Sequence, residues 1–204
     1  MQKSAKEMSH QAIVQAAWTM ARDEGIASLT MSKIAKAAGL TRQAVYWHFQ
    51  SRTNLLFEVA QFNDRQLEGA EIVFNGLAEV SGAESLAAML KVWLNSLPAA
   101  GPLLLALYSA SLADDEAREA LQARMKGLRD VIEEVFLKRI RAEGQLRDGV
   151  DITEAACFIY VMASPPSWQQ ITQCLGWNHD FYVDYVIGKV LELYVQPEFW
   201  PRNK

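Results

Sequence analysis

Cysteine is scarce in this chain: two in 204 residues, Cys157 and Cys174, with no CxxC pair. That excludes a disulfide framework or a zinc ribbon and leaves reduced thiols, buried or half-buried, as the expectation. Histidine occurs three times, at His10, His48 and His179, too scattered for an HExxH metal helix, and neither cysteine has a matched base nearby in sequence. A nucleophile elbow and a Gly-rich phosphate loop are also missing. An enzyme is therefore disfavoured, and no catalytic residue, cofactor or metal is assigned. Alternating strand patterns, internal repeats and low-complexity tracts are lacking too, which leaves an all-α reading.

Uninterrupted apolar runs are short. Two segments are free of charged residues, Val92 to Ala113 and Ala155 to His179, but the first contains Pro98, Gly101 and Pro102 and the second Pro165 and Pro166. Neither is expected to supply about 20 continuous apolar helical residues, so no membrane-spanning helix is expected. The start, MQKSAKEMSH, carries charge where a signal peptide needs an apolar stretch, so a cytoplasmic location is expected. What the chain does have is the composition of a globular protein, 50% hydrophobic and 22% charged.

Charge is unevenly distributed. Residues 1–55 hold seven Lys/Arg against three acids, a net +4, while the other 149 hold 13 basic and 21 acidic groups, a net −8. A basic head on an acidic body points to a polyanion contact at one end.

Helical periodicity accounts for nearly every segment. Residues 9–24 carry Ile13, Ala16, Ala17 and Met20 on one stripe, closed by Gly25. Short helices are expected after Thr30 and Thr41, and a longer one after Ser51, running to about residue 75. Residues 84–97 form a helix expected to end at Pro98, and a separate one over 103–110 begins after Gly101-Pro102, leaving a movable joint between them. A long helix is expected over 115–142, with Leu121, Met125, Leu128, Ile132 and Phe136 inward. Asp151 opens a helix ending at Pro165, a short turn follows around 169–175, and 181–195 closes the fold.

Residues 29–56, LTMSKIAKAAGLTRQAVYWHFQSRTNLL, are the informative stretch. Thr30 or Ser32 caps a helix whose Ile34, Ala35 and Ala38 face inward; Gly39 supplies a tight turn, Leu40 plugs the corner, and Thr41 caps a second helix with Val45 and Phe49 inside. Two short helices joined by a Gly-containing turn describe a helix-turn-helix. The second helix presents Arg42, Gln43, Ala44, Tyr46, Trp47 and His48. Arg and Gln match guanine and adenine edges in the major groove, and Ala44 can touch a thymine methyl. Tyr46, His48, Arg52, Lys33 and the backbone amides near Ser32 and Ser51 suit phosphate oxygens. Against this, Phe49 is read as core, Trp47 equally as core or contact, Lys36 as a solvated face, and Lys3 and Lys6 as a frayed terminus.

These residues resemble the tetracycline-repressor (TetR) family of bacterial transcription regulators. The similarity rests on Leu29 to Leu40, then Tyr46-Trp47-His48-Phe49, then Ser51-Arg52-x-x-Leu55-Leu56, and it covers roughly residues 9–60. A weaker echo is Gly144-x-Leu146-Arg147 leading to Asp151 and Ala155-Ala156. Two positions depart from the pattern: Ala44 stands where glycine or threonine is frequent, and Asn54 replaces the usual capping acid.

The resemblance implies an all-α homodimer with a three-helix DNA-binding domain over 1–52 and a helical ligand-binding and dimerisation domain over 53–204. It implies a palindromic operator in double-stranded DNA, released on binding a small effector. The helices carrying Trp93, Leu97, Leu103, Leu107 and Tyr108, with Phe136, Phe158, Met162 and Trp168, would surround the effector cavity. Their aromatic, charge-poor composition suits a hydrophobic or flat aromatic ligand, though each residue taken alone reads as core.

The last two long helices are apolar on more than one side and need burial on both. Pairing with a second copy in a four-helix bundle, through Phe158, Ile159, Tyr182, Val186, Gly188 and Val190, is the expected arrangement. A helical protein-interaction adaptor is the competing reading.

Overall fold

The computed structural model describes residues 5–68 and 79–201, with side chains described over 5–65 and 79–201. Lys3 and the last part of the helix expected to reach residue 75 lie outside them. The helices are α1 (Ala5–Glu24), α2 (Met31–Ala37), α3 (Arg42–His48), α4 (Arg52–Glu68), α5 (Gly82–Ser111) and α6 (Asp115–Val131). After a π-helical turn at Ile132–Leu137 come α7 (Lys138–Ala142), α8 (Ile152–Met162), α9 (Pro165–Trp168), a second π turn at Gln169–Cys174, and α10 (His179–Tyr194). The chain divides into two compact units, Met1–Leu67 with Pro98–Leu121, and Glu68–Leu97 with Gln122–Lys204. This division falls elsewhere than the expected boundary at residues 52/53, because Leu55, Leu56, Val59 and Ala60 of α4 are buried in the first unit.

In that unit Ile13, Val14, Ala17 and Met20 of α1 pack inward with Ile34, Ala35, Val45 and Phe49. Lys6 is not in a frayed terminus, since α1 begins at Ala5.

Proline does not divide residues 82–111. Pro98 and Pro102 lie inside the single helix α5, so neither the expected break nor the movable joint exists. Each proline withholds one ladder hydrogen bond and costs about 3 kcal/mol. Leu94, Leu97, Leu103, Leu104 and Leu107 are all buried on this stretch, at about 1.5–3 kcal/mol apiece, and their burial prevails. By length and composition α5 is also the one helix among the described residues long and apolar enough to cross a membrane, and its leucine face is buried within the protein.

The 115–142 helix forms as expected except for the π turn, which adds a residue to its inner face so that Phe136 and Leu137 are both buried. In the second unit this turn packs on α8, and α8 packs on α10. The N-terminus of α5 approaches α7 closely: a Cβ on Gly82 would lie 3.0 Å from Ile140 Cγ1 and 3.1 Å from its nitrogen. There the Gly82 N–H donates to Glu143 Oε2 at 2.6 Å and the Ala83 N–H to Gln145 Oε1 at 3.0 Å, satisfying two free amides of the helix end. Burial opposes ionisation of Glu143, but the Gly82 amide and the Arg139 guanidinium outweigh it and hold its carboxyl below the usual range. The Gly144-x-Leu146-Arg147 segment pairs with the chain after α10: Arg147 N–H donates to Tyr194 O and Gln196 N–H to Gln145 O, both at 2.9 Å.

Both cysteines are free and exposed rather than buried. Cys157 lies on the side of α8 away from the buried Ala155, Ala156 and Ile159.

Candidate nucleic-acid interface

The α2–α3 pair is built from its caps. Thr30 Oγ1 accepts from the Lys33 amide at 3.3 Å, so Thr30 rather than Ser32 opens α2. At the other end Leu40 N–H donates to Ala35 O at 2.9 Å and Gly39 N–H to Lys36 O at 3.2 Å, with Gly39 at φ 68°. This is a Schellman stop, and it needs the left-handed conformation that glycine adopts without strain. Thr41 Oγ1 then accepts from the Ala44 amide at 3.1 Å and opens α3. Ile34, Ala35, Val45 and Phe49 are buried, while Ala38 and Leu40 are half-buried at the corner.

The outward side of α3 carries Arg42, Gln43, Tyr46 and Trp47, all exposed, with Ala44 half-buried between them. Trp47 is 66% exposed and is not a core residue. The Arg42 guanidinium lies 5.4 Å from the Tyr46 ring centre and donates to its hydroxyl at 3.4 Å, so the two are held together one turn apart. Lys6 Nζ sits 4.7 Å over the Trp47 ring.

His48 is half-buried at the end of α3, 4.9 Å from the Trp47 ring and 5.9 Å from that of His10. Burial, then the neighbouring His10 and Lys6, pushes its pKa down. His10 also lies 4.8 Å from Phe49. Neither His10 nor Lys6 stands out in sequence as part of this face, because each sits some 40 residues before its partner and on another helix.

The remaining positions are placed as follows. Ser32 is exposed in the first turn of α2 and Thr41 is exposed at its cap. Lys33 Nζ is 4.0 Å from Glu24 Oε2, both side chains being exposed. The Arg52 guanidinium donates to Leu29 O and Ile26 O, each at 3.2 Å, and so braces the turn before α2. Asn54 serves as a cap partner despite not being acidic: its amide N–H donates to Ser51 Oγ at 3.1 Å and its Oδ1 accepts from the Ser51 hydroxyl.

The residues expected around an effector lie in different surroundings. In the first unit Leu103 and Leu107 are buried and Tyr108 is half-buried. In the second, Leu97, Phe136 and Trp168 are buried, Met162 is half-buried, and half-buried Trp93 donates its indole N–H to Ala163 O at 2.7 Å. Phe158 is exposed, with its ring 6.2 Å from Tyr194.

Of the residues expected to pair two copies, Ile159, Tyr182, Val186 and Val190 are buried within their own chain. Tyr182 donates its hydroxyl to Met162 O at 2.5 Å, and burial raises its pKa. A helix apolar all round does not declare which stripe faces its own core, and here the inner one does. Phe158 and Gly188 are exposed, and beside them on α8 and α10 stand exposed Cys157, Val161, Phe181 and Tyr185.

Residues 13–59 match the family model for bacterial regulatory proteins of the tetR family. Over 72 residues, 35% of this chain and 34% of the relative, the chain is 31% identical to the HTH-type transcriptional regulator AcrR of Shigella flexneri. The chain thus spans about a third of that relative's length. A TetR-family transcriptional regulator structure from Rhodococcus sp. is similar with TM-score 0.72 at 18% identity, covering 92% of this chain and 98% of that one. The Thermus thermophilus FadR repressor in complex with lauroyl-CoA is similar with TM-score 0.64 at 22% identity, covering 96% and 97%. Likeness at these identities shows a shared fold. With caps, turn and outward side all formed at residues 30–49 inside the matched segment, residues 13–59 of this chain carry the N-terminal domain of bacterial regulatory proteins of the tetR family.

Proposed function

We propose that this chain is a homodimeric transcriptional repressor that reads a palindromic operator with α3 and loses affinity for it when a small, largely hydrophobic effector binds. The supporting observation is the outward side of α3: Arg42, Gln43 and Tyr46 are exposed on a helix whose inner side is fully occupied by Val45 and the adjoining Phe49. An exposed guanidinium, steadied by Tyr46, and an exposed amide on one short helix offer the donor patterns that guanine and adenine edges accept. The basic balance of residues 1–55 supports the accompanying phosphate contacts.

Dimerisation is assigned to the apolar side of α8 and α10 on which Phe158, Val161, Phe181 and Tyr185 stand exposed in the single chain. Two copies would then present two copies of α3 to successive major grooves, about 34 Å apart. An effector with an apolar body is in keeping with the lauroyl-CoA bound by the FadR relative. Coupling of effector to operator is set at about 5–150-fold in affinity.

Selection of bound duplexes from a random pool tests this reading. The expected product is a palindrome with half-sites one helical turn apart, and enrichment of no duplex sequence would refute it in favour of a protein-interaction adaptor.

A further inference from the structure

A groove of about 540 Å³ lies between α1 and α4, wholly within the first unit. Its apolar surface comes from Ala12, Val14 and Phe62, and its polar surface from Gln11 and Gln15. The cation is Arg65 on the α4 side, His10 lies on the α1 side, and no carboxylate is among the described lining residues. Its volume falls within the range of small-molecule sites, and an arginine beside apolar surface matches a carboxylate attached to an apolar body.

We propose that this groove is a second small-molecule site, distinct from the effector site, and that it takes an amphiphilic monoanion. The Arg65 guanidinium holds the carboxylate, while Val14 and Phe62 cover the apolar body. His10 makes the site consequential. One wall of the groove is His10, whose ring also lies 4.8 Å from Phe49 and 5.9 Å from His48, where α3 ends. A ligand that settles His10 therefore settles the end of α3 as well. This coupling rests on the operator-binding reading; the site itself does not.

The test uses octanoate as the probe and the full chain as the protein. With three histidines in the chain, imidazole proton resonances are resolvable, and His10→Gln identifies the one of interest. Octanoate is expected to shift the His10 resonances saturably, and octanol to bind at least tenfold more weakly. Arg65→Glu should weaken octanoate at least tenfold, and Ala12→Trp, which fills the groove from an exposed position, should abolish the saturable shift. Unmoved His10 resonances overturn the proposal, as do equal shifts in wild type and both variants or equal binding of octanol.

In a second arm, saturating octanoate should change affinity for a selected duplex at least fivefold in wild type and not in Ala12→Trp. An unchanged wild-type affinity overturns the coupling. Failure of wild type to bind any duplex refutes the operator reading instead, and leaves the resonance experiment to decide the site.

Discussion

The side-chain amide of Asn54 donates to Glu116 Oε1 at 3.0 Å, joining the first turn of α4 to the first turn of α6 within the first unit. An acid at this position would cap α4 but present a second carboxylate to Glu116. Asparagine keeps the cap with Ser51 and adds a donor. Asn54→Asp is therefore expected to destabilise the unit by about 0.5–1 kcal/mol, the bond being partly solvent-screened and the new charge gaining a little from the helix dipole. Urea denaturation of Asn54→Asp, Glu116→Gln and the double variant checks this: the double variant should recover most of the loss, and additive effects would refute the pairing.

Gly39 owes its place to backbone conformation alone. Nothing lies within 4 Å of a Cβ built there, and φ is 68°. Gly39→Ala is expected to cost about 1–2 kcal/mol without any steric clash, and Gly39→Asn less, since asparagine tolerates the left-handed region better. Thermal denaturation of the two variants decides it, and a neutral Gly39→Ala would contradict the assignment.

His48 makes stability depend on pH. Its folded pKa lies below the ordinary value of about 6.5, through burial and then through His10 and Lys6, so folding favours the neutral ring. The contribution is present above pH 6.5 and is lost as pH falls through that value toward the folded pKa. Wild type should therefore lose more stability than His48→Gln between pH 7.5 and 5.5, measured as the shift in urea midpoint. Parallel pH profiles would show that the ring carries no such linkage.

Val161 is 55% exposed on α8, whereas Ile159 two positions earlier is fully buried. Val161→Glu is expected to leave helix content unchanged and to weaken self-association at least tenfold, as read by sedimentation equilibrium. A variant that associates as tightly as wild type would place the pairing surface elsewhere.

Local chemistry made the caps and stops of the first unit legible. Thr30, Thr41, Ser51 and Gly39 act through neighbours three to five residues away, and the structure places those contacts where the spacing predicts them. The helix through Pro98 and Pro102 was not legible, because a propensity rule sees the lost hydrogen bonds and not the five buried leucines that offset them. The inner and outer stripes of α8 and α10 were not separable either. With Phe158, Ile159 and Val161 all apolar, periodicity gives two acceptable faces, and only the packing of α8 on its neighbours selects Ile159 as the inner one. His10 beside His48 and Asn54 beside Glu116 join distant segments of the chain, and no spacing rule reaches them.

Fluorescence anisotropy of wild type and Arg42→Ala against the selected palindrome and a scrambled duplex, over a salt series, tests the central claim most directly. Wild-type log affinity should fall linearly with log salt concentration, with a slope of about −0.9 per phosphate contacted, and should favour the palindrome. Arg42→Ala should lose about 1–3 kcal/mol on the palindrome and relax discrimination at one base position, while nearly keeping its affinity for the scrambled duplex. Equal, salt-independent binding of both duplexes by both proteins would contradict it.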